Sequence, residues 1–247
     1  MEQNISKIKR SIKLYPLFYA FSADLIFFIP IDTLFLTLVK GLNASEISAI
    51  TMIGLLICIL LQKIIVKITK NIGNKNSIRL GAFMLFLSSV ILTFGKSFIS
   101  ITIYRVISEL AFMFWNMTSI LLRNDLIYLD KKDEYYTVRN NAKVMYGITT
   151  MLTAFISGYL FNINKYLPMY ISIIIYFIIF IISFLFYEAK INDESNKKEV
   201  DVDNKKIKFT SVIFLVVLSN AIFYSIIRFR LFLDFCRSDL SALRDGP

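Results

Sequence analysis

Histidine does not occur in the chain, and cysteine occurs only twice, as Cys58 and Cys236. Two cysteines without histidine build neither a disulfide framework nor a Cys/His metal site, so no metal ion and no cofactor is expected. The chain also lacks a phosphate-cradling glycine loop, an H-E-x-x-H pair and a C-x-x-C pair. No catalytic constellation remains, and an enzyme is not expected.

What the chain has in excess is apolar length. Hydrophobic residues make up 56% of it and aromatics 15%, above ordinary soluble usage, and several apolar runs approach the roughly 20 residues that span a bilayer. The chain therefore reads as an all-α polytopic membrane protein whose first partner is the lipid bilayer. A net charge of +10 could point to nucleic acid. Nearly all the basic residues fall in turns between apolar runs, however, as membrane topology requires, and nucleic acid is excluded as a partner.

Residues 1–13, with Lys7, Lys9, Arg10 and Lys13, form a basic arm. The first helix is expected over Leu14–Val39, too long for a cleavable signal peptide. A turn follows in which Ser45 or Asn43 can cap the second helix, whose apolar run is Ile47–Ile65. Gln62–Gly81 is a basic turn, followed by helices expected at Ile78–Thr93, Phe98–Leu122, Val144–Phe161 and Leu167–Tyr187. Residues 1–187 thus make a six-helix bundle. Glu188–Lys208 has almost no apolar side chains and reads as a charged cytoplasmic linker. Phe209–Ile227 reads as a seventh transmembrane helix. The four inner segments carry twenty Lys and Arg, against Lys40, Lys96 and Lys165 in the outer turns, which places the N-terminus in the cytoplasm of a multi-pass cell-membrane protein. Residues 228–247 depart from this pattern, with four arginines and no lysine. They are expected to be foreign to the frame, as after a truncation, frameshift or fusion scar.

A charge inside a bilayer costs about 2.5–3.5 kcal/mol on insertion scales, so each one is a functional candidate. Asp24 lies near mid-depth in the first helix, and Asp32 lies near its outer end on a similar face. Arg105 and Glu109 are four residues apart on the fourth helix, so they share a face and can pair. Coupling to transport and a purely structural ion pair are both open for these two. Trp115, Asn116 and Thr118 can line a cavity on the same helix, with packing as the plainer role for the tryptophan.

The basic turn carries a family resemblance. Lys70-Asn71-Ile72-Gly73-Asn74-Lys75, followed by Leu80-Gly81, resembles the loop between helices 2 and 3 of the major facilitator superfamily, D-R-x-G-R-K with a downstream glycine. Gly73, Lys75 and Gly81 match, while Lys70 stands in place of the acid that, in the family, helps to latch the two halves. Arg105 occupies the place of the arginine in the helix 4 pattern R-x-x-x-G, implicated in proton coupling in exporters, with Glu109 replacing the glycine. Asp125-Leu126-Ile127-Tyr128 and Asp133-Glu134-Tyr135 are similar to the run after helix 4 in drug-exporter-like members. In helix 5, Gly158 alone clearly matches the exporter pattern of glycines and a proline.

The resemblance implies one six-helix half of the fold plus a seventh helix, and a secondary transporter of a small molecule, by proton-coupled efflux or antiport. Its candidate residues are Asp24, Asp32, Arg105, Glu109 and Asn116, with Lys70, Gly73, Lys75 and Gly81 as the conformational turn. One half supplies one wall of a cavity, so a second copy or the missing C-terminal half is the expected partner. Two alternatives stand beside this reading: a non-transporting membrane interaction protein and a homodimeric half-size carrier.

Overall fold

A computed structural model of the chain describes residues 2–23 and 25–189, with side chains from residue 5. Asp24, the linker from residue 190, the seventh helix, Cys236 and the 228–247 tail lie outside the described residues, as does the whole of the second of the chain's two compact units, 192–247. Every described element is helical: α1 Glu2–Ser22, α2 Asp32–Leu34, α3 Ala44–Ile72, α4 Asn74–Phe94, α5 Phe98–Trp115, α6 Met117–Tyr128, α7 Glu134–Ile163 and α8 Leu167–Ser183. Four stretches are long and apolar enough to cross a membrane: Ala44–Ile72, Asn74–Phe94, Phe98–Tyr128 and Glu134–Ile163. The chain is an all-α polytopic membrane protein.

Helix boundaries follow local chemistry. Asn43, one of the two expected caps, starts α3 through a reciprocal box. The Glu46 N–H donates to Asn43 Oδ1 at 2.9 Å, and the Asn43 N–H donates to Glu46 Oε2 at 2.8 Å. Ser97 caps α5 by accepting from the Ser100 N–H at 3.1 Å. Between α3 and α4 the chain turns on one residue, Gly73, with φ +82° and ψ 164°. L side chains essentially never adopt that conformation. The expected basic turn is thus mostly helix, and its corner is a single glycine.

The first passage differs from the single helix expected at Leu14–Val39. The basic arm is already helical from Glu2, and α1 ends at Ser22. The chain resumes as a 3-10 turn at Ile29–Ile31, then α2, then a π-turn at Phe35–Val39. Pro30 explains part of this, because it has no N–H to donate and its ring clashes with the carbonyl one turn earlier. Packing supplies the remainder. The Ile26 N–H, which has left the helical ladder, donates to the buried Tyr176 hydroxyl of α8 at 2.8 Å.

The fourth passage is also interrupted, with α5 and α6 meeting at Asn116. The interior is organised on α4, which packs against α5 and α8, while α1 packs against α6, α7 and α8, and α3 against α5. Small residues let the backbones approach. A Cβ added at Gly81 would lie 3.1 Å from the Ala111 carbonyl oxygen and 3.2 Å from Phe114 Cβ.

At the opposite end from Gly73, Lys40 holds three turns together. Its Nζ donates to the Thr93 and Gly95 carbonyls at 2.9 and 2.7 Å, where α4 ends with unanswered acceptors. It also lies over the rings of Phe35 and Tyr166, 5.2 and 5.7 Å from their centroids. Burial, reinforced by the Lys96 charge, lowers the Lys40 pKa to about 8. The penalty for holding the ammonium is therefore fully present below about pH 8 and is relieved as pH rises toward the ordinary lysine value.

Two outcomes are expected. Relative to Lys40→Met, the native chain gains thermal stability as pH rises from about 7 to about 10; a difference that stays flat over that range would refute the account of Lys40. Gly73→Ala destabilises the chain by about 1–3 kcal/mol, whereas Gly147→Ala, where an added Cβ meets nothing within 4 Å, does not. Thermal unfolding in detergent reads both glycine variants.

Candidate functional site

The charged pair on α5 is the centre of the candidate site. One helical turn separates Arg105 and Glu109, and an Arg105 Nη donates to Glu109 Oε1 at 2.8 Å. The two side chains are only 26% and 21% exposed. Glu109 lies eleven residues into α5, roughly 16 Å at 1.5 Å per residue, about half the depth of a hydrocarbon core. Pairing offsets part of the cost of placing either charge there.

The pair fits because α3 has no side chain opposite it. A Cβ on Gly54 would sit 2.9 Å from Arg105 Cγ and 3.7 Å from Glu109 Cγ. Buried Cys58 lies one turn further along α3. On the other side, Tyr104 is fully buried against the Phe28 ring, with centroids 5.8 Å apart, and is close enough to Arg105, Asp32 and Glu109 to feel their charges. Asp32, beyond the break in the first passage, thus lies near the same tyrosine as the pair on α5. Asp32 is half-buried, and its Oδ1 accepts from the Thr33 N–H at 2.6 Å and the Thr33 hydroxyl at 3.0 Å.

Three of the five sequence candidates, Asp32, Arg105 and Glu109, thus share one electrostatic neighbourhood. Asn116 stands apart: it is exposed, two helical turns beyond Glu109, at the joint between α5 and α6, and its N–H still donates to the Phe112 carbonyl at 3.2 Å.

Trp115 takes a packing role. Its Nε1 donates to Ser22 Oγ at 2.8 Å, tying the α5–α6 joint to the end of α1. Its ring lies 5.0 Å from that of Tyr19, which in turn meets Tyr146 of α7 at 6.1 Å. Thr118 is buried and donates to the Trp115 carbonyl at 2.8 Å. Sequence reasoning did not find this aromatic cluster. Its one signal was the i, i+4 spacing of Tyr15 and Tyr19.

At the Gly73 turn, Lys70 is exposed in the last turn of α3, and the acid comes from elsewhere. Glu188 accepts from the Asn74 and Lys75 N–H groups, both at 3.2 Å, and from Asn74 Nδ2 at 2.9 Å. A carboxylate is favoured there because the first turn of a helix presents unpaired N–H groups and the positive end of its dipole. The next residue, Ala189, is buried, and its N–H donates to Asp125 Oδ1 at 3.3 Å. The first two residues of the expected solvated linker are therefore held by the bundle. Gly81 lies against α5 as described. Gly158 is exposed, with nothing within 4 Å of an added Cβ, and the buried small residue beside it is Ser157.

Such a site can hold a pair of opposite charges within a membrane. Removing Arg105 leaves Glu109 uncompensated, and removing Glu109 does the same to Arg105. Arg105→Ala and Glu109→Ala are each expected to lower stability, and the double variant is expected to be more stable than their additive sum. Additive effects in thermal unfolding would mean that the two groups do not interact.

Residues 11–238 match the model of the MFS_1 like family. The match begins within α1 and reaches into the 228–247 stretch that composition sets apart. No curated protein matches the chain.

Proposed function

Because the chain belongs to the MFS_1 like family and is a membrane transporter on that footing, we propose that it moves a small molecule by proton-coupled efflux, with Arg105 and Glu109 as the coupling pair. The observation that carries this reading is the 2.8 Å ion pair at mid-depth in the α5 passage, seated against Gly54 and beside Tyr104. A proton arriving at Glu109 neutralises the carboxylate and frees the Arg105 guanidinium. The guanidinium then needs a new partner, and that need biases the helices toward the opposite orientation. Asp32 is the second acid in the same electrostatic neighbourhood. Asp24 remains a candidate by its place in the sequence, and the exposed Asn116 offers a substrate-facing amide.

The topology belongs to the same proposal. The shorter apolar stretches, Ile29–Val39 and Leu167–Ser183, complete the first and sixth crossings together with α1 and the residues that follow α8. The charge asymmetry supports a cytoplasmic N-terminus in the cell membrane. The exposed α7 face, with Ile148, Met151, Phe155 and Tyr159, supports closure of the cavity by a second copy of the chain or a complementary half. Glu188 supplies at the Gly73 turn the carboxylate that Lys70 does not.

Accumulation of small lipophilic dyes, ethidium among them, tests the assignment in cells. The native chain is expected to lower accumulation while a proton gradient stands and to lose the effect when a protonophore collapses it. Arg105→Ala is expected to reach the membrane in normal amount and to lower nothing. Efflux that persists in Arg105→Ala, or without the gradient, would overturn the role given to the pair.

A further inference from the structure

The end of the bundle that holds the Gly73 turn carries a cluster of cations, of which the transport reading uses only Lys75. Lys7 and Arg10 come from α1, and Lys75 and Arg79 from the first turns of α4. All four converge on the segment that follows α8. The Lys7 and Lys75 ammoniums share one aromatic ring, each 5.8 Å from the centroid of Tyr187. The Arg79 guanidinium lies 4.8 Å from the Phe184 centroid and donates to the Phe184 carbonyl at 3.4 Å, and Arg10 donates to the Leu185 carbonyl at 3.4 Å.

Among the described residues, none of these four cations forms an ion pair. One carboxylate, Glu188, lies beside them: it accepts from the N–H groups of Asn74 and Lys75 and from the Asn74 amide, and its single charge acts on Lys75. Elsewhere at this end a cation is answered directly: Lys131 pairs with Glu134 at 2.5 Å. Four positive charges gathered on residues 184–187 outnumber the one carboxylate beside them, and their mutual repulsion is relieved by a further anion.

Directly beyond the cluster, the α4–α8 seam changes to apolar aromatics. The rings of Phe83 and Phe180 lie 5.5 Å apart, as do those of Phe86 and Phe177. Phe83 and Phe177 are 42% and 48% exposed, so the seam opens outward along the membrane-crossing helices. A cationic seat at the membrane face that continues into an aromatic seam matches one molecule part for part: a phosphate on the ammonium and guanidinium groups, and acyl chains along the phenylalanines.

We propose that Lys7, Arg10, Lys75 and Arg79 form a binding site for an anionic phospholipid, whose headgroup phosphate sits over Tyr187 and Phe184 and whose acyl chains follow the α4–α8 seam. The lipid adds a negative charge to the one that Glu188 brings to this end, and it joins the start of α1 to the start of α4 across the end of α8. The site does not depend on the proton-coupled reading and would stand if that reading failed.

Thermal unfolding of the full chain in mild detergent, with added phosphatidylglycerol, phosphatidylcholine or inorganic phosphate, provides the test. Phosphatidylglycerol is expected to raise the melting temperature by about 5 °C at a hundredfold excess over its dissociation constant, with no comparable rise from the other two additives. Lys7→Gln with Arg10→Gln, and separately Lys75→Gln with Arg79→Gln, should abolish most of that rise. The charge-keeping pair Lys7→Arg with Arg10→Lys should retain it, as should Lys67→Gln with Lys143→Gln, which removes the same charge from the same end. An equal rise with phosphatidylcholine or with inorganic phosphate, or an equal loss in the Lys67/Lys143 variant, would overturn the proposal.

Discussion

Hydrocarbon offers no hydrogen bonds, so every polar group carried into it must be answered by another part of the chain. That constraint orders the structure more than any single apolar contact. It explains why the ladder can break after Ser22 only where a side chain from another helix waits: Tyr176 of α8 takes the Ile26 N–H, and Ser22 Oγ accepts from Trp115. It explains equally why Arg105 and Glu109 occur as a pair, and why Lys40 is spent on the carbonyls that close α4.

These answers differ in what they allow. The bonds around the first-passage break join backbone to neutral side chains and hold one arrangement. The α5 pair instead joins two groups of opposite charge, one turn apart on a single helix.

Features set by neighbours in the chain were legible in the sequence. The apolar runs, the Asn43 cap, the glycine corner at residue 73 and the four-residue spacing of Arg105 and Glu109 all depend on local pattern, and the structure has them. Features set across the bundle were not legible. The early end of α1 depends on a hydroxyl 150 residues away in the chain, and the acid at the Gly73 turn arrives from Glu188, more than a hundred residues downstream. No period or motif connects such positions. The joint at Asn116 lay in a run that reads as one continuous helix, and the role of Gly54 is visible only once the stem of Arg105 is seen lying over it.

The corner at Gly73 joins a helix of 29 residues to one of 21 with a single residue between them. A longer loop would absorb relative displacement, but this connection has no slack. A tilt of α3 would therefore be delivered to the foot of α4, and with it to the carboxylate seated there, as through a crank whose two arms share one pin.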